Sequence, residues 1–138
     1  MATISNASLL VENFNNTTVK LTVKYTLTPS AVEKLAGTVF HENIQLIGDD
    51  PGIVSDIIIA NFSGDNFAVT NATPTVARTR TRNLLKSALN EDPGFASTGA
   101  ELSDEVFARI TLAYAANAPI PSALPSPAST NIVSGAWK

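Results

Sequence analysis

An all-β fold, an antiparallel two-layer β-sandwich, is what this chain predicts, and three observations carry the prediction. Apolar and polar residues alternate at period 2, most plainly in VKLTVKYTLT at residues 19–28, where Val19, Leu21, Val23, Tyr25 and Leu27 share one side. Such stretches are short and separated by turn residues, with seven glycines and eight prolines in the chain. Its 138 residues, 44% of them hydrophobic, suffice for one core without metal or disulfide support and leave little room for a second domain. Six to eight short strands with a single helical signal favour two packed sheets over helix-covered parallel sheets.

The elements follow in order. TISNASLLVENF, residues 3–14, is the expected partner of 19–28, reversing through the polar Asn15-Asn16 turn. After Pro29, Ser30 and Glu33 have capping-box spacing and Gly37 stands where a helix stops, so residues 30–36 are read as one short helical turn. TVFHENIQLIG, residues 38–48, is the next strand, ended by GDDPG, in which Pro51 and Gly52 suit a type II turn. DIIIANF and NFAVTNA, residues 56–62 and 66–72, read as strands joined by a hairpin loop across Ser63-Gly64-Asp65-Asn66. VARTRTRNLL, residues 76–85, is a strand that continues and bends near Lys86, although Leu84, Leu85, Ala88 and Leu89 also fit one helix face. A connecting loop at 91–103 precedes the last strand in DEVFARITLAYA, residues 104–115.

The sandwich domain is thus placed at residues 1–117. Residues 118–138 form a Pro-rich extended C-terminal tail or arm, because four of the eight prolines lie in APIPSALPSP and proline cannot donate to a sheet ladder. The tail either packs on its own domain or lays Ile132, Val133 and Trp137 on a neighbouring subunit. In general pattern the chain is similar to immunoglobulin-like or C2-like sandwiches, without the cysteine pair and tryptophan spacing of true immunoglobulin domains.

Composition removes several functions. The absence of cysteine excludes disulfides, cysteine-ligated zinc and thiol nucleophiles. With 15% charged residues and a net charge of −3, the chain lacks the basic surface of a nucleic-acid binder. No apolar run approaches a bilayer span and MATISNASLL has no signal-peptide pattern, so a soluble chain without membrane insertion is expected, its compartment undetermined.

Four features are candidates for function. Arg78, Arg80 and Arg82, three of the four arginines, alternate with threonines and share a face about every 6.6 Å along the strand. That stripe is read as the polar side of an outer or edge strand, salt-bridged to residues such as Glu12, Asp104 or Glu105. Its functional alternatives are a subunit interface and a site for a glycan or other polyanion. Trp137 is a further interface candidate.

His41 and Glu42 are adjacent and therefore face opposite ways on a strand, which removes them as a catalytic pair. Glu42 is in phase with Phe40, Ile44 and Leu46, so it points inward and needs either a bulge or a buried cation; Arg109 is one candidate cation. Asp49, Asp50, Asp56, Glu91, Asp92 and Asp104 fall in presumed loops and are calcium candidates if those loops converge, since calcium takes six to eight oxygens.

With no catalytic constellation or cofactor fingerprint, the expected function is a non-enzymatic structural or interaction module that self-associates into a homo-oligomer. The alternatives are a calcium-dependent or glycan-binding sandwich and an enzyme using loop carboxylates.

Overall fold

The computed structural model describes residues 2–49, 57–72, 74–89, 104–115 and 127–135, and it is an antiparallel all-β sandwich with two short helices. Sheet A holds β1 (Thr3–Asn13), β2 (Thr18–Thr28) and β6 (Val76–Leu85) in the order β1-β2-β6. Sheet B is centred on β3 (Val39–Asp49) and β7 (Asp104–Tyr114). Beside β3 lie β4 (Ile57–Asn61) and β5 (Asp65–Ala68); beside β7 lie β8 (Ala128–Ser129) and β9 (Val133–Gly135). Among the described residues no helix is long and apolar enough to cross a membrane.

Alternation builds the core. Val19, Leu21, Val23, Tyr25 and Leu27 of β2 are all buried and meet Phe40, Ile44 and Leu46 of β3 and Val106, Ala108, Ile110 and Leu112 of β7. Lys20, Lys24 and Thr28 on the opposite side of β2 stay exposed. In β1 the register slips between Ser5 and Ser8, and Asn6 takes φ 55°, a left-handed conformation that asparagine tolerates at a bulge.

Between β2 and β3, α1 (Ala31–Ala36) has the full capping box: Ser30 accepts from the Glu33 amide, and Glu33 accepts from the Ser30 amide at 2.8 Å. Gly37 ends the helix at φ 61°, where a side chain would be strained. Glu33 is fully buried, and its second carboxylate oxygen accepts from the Tyr114 hydroxyl at 3.1 Å.

Two expectations change. Residues 63–66 do not form a hairpin loop, because β4 and β5 do not pair with one another; they pair with successive parts of β3, Gln45–Gly48 and Val39–Glu42, and lie end to end along one edge. The β6 strand stops at Leu85 and gives way to one turn of helix, α2 (Lys86–Leu89), as the Lys86 amide bonds the Thr17 carbonyl at 2.8 Å.

In the Pro-rich segment, residues 128–135 run along β7, with Ser129 opposite Arg109 and Val133 opposite Val106. Between those two strands, the Thr130 amide and hydroxyl pair with the Ala108 carbonyl and amide, both at 2.9 Å. The Asn131 side chain reaches the other sheet: its Oδ1 accepts from the Leu9 amide at 2.8 Å and its Nδ2 donates to the Leu9 carbonyl at 3.2 Å.

Candidate functional site

The arginine strand β6 is an edge strand, but its stripe is on the inner face of sheet A. Register fixes this: Arg78, Arg80 and Arg82 lie opposite Tyr25, Val23 and Leu21, three buried residues of β2. The expected outward, solvated face is therefore carried by Ala77, Thr79, Thr81 and Asn83, all exposed. An inner face at the rim of a sandwich suits arginine, because the stem covers apolar neighbours while the head reaches polar groups.

Those polar groups belong to sheet B. Glu42 points inward from β3 and is 1% exposed. Arg78 Nε and Nη2 donate to its Oε2 and Oε1 at 3.1 and 3.3 Å, Arg80 Nη1 donates to Oε1 at 2.5 Å, and the Tyr25 hydroxyl donates to Oε2. Arg78 Nη2 also meets Asp65 of β5 at 2.7 Å, and its guanidinium lies 4.4 Å from the centre of the Phe67 ring. The Arg80 Nη2 donates to the Ser63 carbonyl at 2.6 Å, and Arg82 donates to the Asn61 carbonyl. The stripe thus crosses from one sheet edge to the other and fastens the chain between β4 and β5.

Electrostatics follow from this geometry. Burial by itself opposes ionisation of Glu42, but hydrogen bonds from Arg78, Tyr25 and Arg80 outweigh it and hold the carboxyl below its usual range. Tyr25 is pushed upward by burial first and by the neighbouring Glu42 carboxylate second, so its phenol stays neutral and donates. Asp65 is lowered chiefly by its bond to Arg78. Burial disfavours the charge on Arg78, and its bonds to Glu42 and Asp65 more than offset that, raising its affinity for the proton. A carboxylate that is ionised and engaged on both oxygens is a poor proton acceptor, so the cluster is built to hold two sheets together and not to transfer protons.

Arg109, one candidate cation for Glu42, stands opposite Gln45 and Ser129, with its guanidinium 5.9 Å from the Phe107 ring centre. Of the partners expected for the stripe, Glu12 lies in register with Lys20 and Glu105 with Asp49, and the side chain of Asp104 lies outside what the structure describes. The His41 ring is on the opposite side of β3 from Glu42, and its Nδ1 is 2.6 Å from Asn66 Oδ1. It also rests on Gly64, where a Cβ would come within 2.9 Å of the ring.

Among the calcium candidates, Asp50, Asp56, Glu91 and Asp92 lie outside the described residues, as does Trp137. Asp49 and Asp104 occupy the end of β3 and the start of β7, which the register places at the same end of sheet B. Among the described residues no three Asp, Glu or His side chains gather as a metal site.

Sequence reasoning named the arginines and Glu42 separately and did not join them. Parity was the available signal: Val76 and Leu84 share the arginine face, and both pack against the core. Tyr25, Asp65 and Asn131 carried no signal of their own, since each acquires its role through a strand distant in sequence.

No protein-family model matches the chain, and no curated protein matches it significantly. Among solved structures it is similar to a crystal structure of a protein from Archaeoglobus fulgidus, with a TM-score of 0.58 and 9% identity over 99% of this chain and 98% of that one. It is also similar to the solution structure of a protein from Arabidopsis thaliana, with a TM-score of 0.52 and 9% identity over 98% of this chain and 80% of that one. These likenesses show the sandwich fold.

Proposed function

We propose that this chain is a non-enzymatic structural or interaction module that self-associates. The observation that supports the reading is how its polar and apolar groups are distributed. The buried Glu42 carboxylate is consumed by internal bonds, whereas large apolar side chains stand exposed on the outer face of sheet A and in the turn after β1. Leu10, Phe14 and Leu85 are 54%, 59% and 57% exposed. Register brings Phe14 and Leu85 to either side of Thr18: Leu85 is its ladder partner and the Phe14 amide bonds its carbonyl at 3.0 Å. Exposed large apolar side chains favour a protein partner over a small polar substrate.

Sedimentation of the purified chain tests this. A defined oligomer at micromolar concentration is expected, and a monomer up to about 100 μM, above the range in which specific assemblies form, would refute it.

A further inference from the structure

We propose that the outer edge of β6 takes up an extended acidic segment of a partner protein as a fourth strand of sheet A. This goes beyond self-association, because the occupant is a different chain.

The edges of the two sheets are not alike. β1 carries a bulge between Ser5 and Ser8, with Asn6 at φ 55°, and Asn131 holds both backbone groups of Leu9. β4 and β5 have five and four residues, and β8 and β9 two and three. Short, bulged or capped edges resist the addition of a strand. β6 has none of these devices. It runs for ten residues without proline or glycine, and it pairs with β2 at every position from Val76 to Leu85 with no shift of register.

Register also settles which backbone groups are available. The Lys86 amide bonds the Thr17 carbonyl, and this pair continues the β2–β6 register one step beyond Leu85 and Thr18. Hydrogen-bonded pairs alternate along an antiparallel ladder, so within β6 they fall at Leu84, Arg82, Arg80, Arg78 and Val76. The amides and carbonyls of Ala77, Thr79, Thr81 and Asn83 therefore point away from β2, and they have no partner among the described residues. Their side chains are exposed on the outer face of sheet A. Unpaired donors and acceptors at every second residue of a flat strand repeat the spacing of another strand's backbone, which is the basis of strand addition.

Charge selects the occupant. Arg78, Arg80 and Arg82 share the inner face, while Glu42 and Asp65 supply the carboxylates, both engaged by Arg78 and Arg80. Arg82 is exposed and its bond goes to the neutral Asn61 carbonyl, so its positive charge is uncompensated. Residues 76–89 hold Arg78, Arg80, Arg82 and Lys86 and no acidic residue. Side chains directly opposite on neighbouring strands stand about 4.5–5.5 Å apart, so a second β6 would set guanidinium against guanidinium. A strand with carboxylates at alternate positions sets opposite charges together instead.

The probe is an end-blocked peptide of about ten residues, alternating Thr and Glu, titrated into the full chain to about 1 mM and read by NMR and amide hydrogen exchange. Binding is expected with exchange slowed about tenfold or more at Ala77, Thr79, Thr81 and Asn83, while the amides of Arg78 and Arg80 are already slow in the free chain. A peptide alternating Thr and Lys is expected to bind about tenfold more weakly or worse, a difference that shrinks with added salt. Thr81→Pro removes one outward amide without touching a β2 bond and abolishes binding. Arg82→Glu, at an exposed position, reverses the preference between the two peptides. No slowing at the highest peptide concentration, equal binding of the two peptides, or binding untouched by both substitutions overturns the proposal. Outward amides that are slow in the chain alone and quicken on dilution would place a second copy on this edge, and that too overturns the acidic partner.

Discussion

The two open sides of this sandwich are closed by different chemistry. On one side β6 meets the β4–β5 edge through charged groups, Glu42 and Asp65 against Arg78 and Arg80, with Arg82 on a carbonyl. On the other side β1 meets the β8–β9 segment through a neutral amide, Asn131 on the backbone of Leu9. The charged seam joins the edge strands of the two sheets around a buried carboxylate. The amide seam is made by neutral groups, so forming it desolvates no charge. Inward-pointing arginines also blunt the β6 edge against pairing with another strand, because two such strands side by side would bring guanidinium groups together.

Removing the centre of the charged seam is the largest expected perturbation. Glu42→Ala leaves Arg78 and Arg80 without their shared carboxylate. Breaking a buried ion pair costs about 3–5 kcal/mol, and the lower end applies because both arginine side chains are 18% exposed and can turn towards water. For a domain of this size, a loss of about 3 kcal/mol lowers the melting temperature by roughly 10 °C. A loss under about 1 kcal/mol in urea titration would place the seam's strength elsewhere.

The same seam fixes the pH response. Glu42 titrates lower in the folded than in the unfolded chain, so its contribution is present above the unfolded value and lost as pH falls through the folded one. Tyr25 titrates higher in the folded chain, so its contribution is present below the ordinary phenol value and lost as pH rises beyond it. Melting temperature against pH is expected to fall at both extremes. Glu42→Gln flattens the acid limb and Tyr25→Phe the alkaline limb; unchanged limbs would contradict these assignments.

The amide seam is weaker and indifferent to salt. Asn131→Ala strips two bonds from the backbone of the buried Leu9, for a loss of about 1–3 kcal/mol. Raising the salt concentration tenfold is expected to leave this loss unchanged while reducing the contribution of the partly exposed Arg78–Asp65 pair. Equal salt responses at both seams would erase the distinction between them.

Most of the fold was legible because it depends on local periodicity. The β2 alternation, the Ser30–Glu33 capping box and the Gly37 stop each needed only neighbours within a few residues. The site was half legible: parity turned Glu42 inward and left either a bulge or a cation to accommodate it, but it gave no means of ranking Arg78 and Arg80 above Arg109. That choice is made by strand order, which puts β6 beside β2 and over the β4–β5 edge. The stripe itself misled because charged residues with alternate threonines resemble a wet face, and only the pairing of Arg80 with Val23 shows which side meets the core. The hairpin expected at 63–66 failed for a related reason, since turn residues mark where a strand stops and not which neighbour the next one joins.

Arg82 gives the smallest and sharpest test of the charged seam. It has the same parity as Arg78 and Arg80, but it is exposed and its bond goes to the Asn61 carbonyl, a neutral acceptor. If the seam derives its strength from neutralising a buried carboxylate, Arg82→Ala costs only about 0.5–1 kcal/mol, the net worth of one partly solvated hydrogen bond. Arg80→Ala, which leaves Glu42 short of a donor, costs at least twice as much. The coupling between the Glu42→Gln and Arg80→Ala substitutions in a double-mutant cycle then exceeds that between Glu42→Gln and Arg82→Ala, which is near zero because these two side chains share no bond. Equal couplings would mean that the three arginines act as one cationic stripe, and the seam would be a general field effect instead of a set of directed bonds.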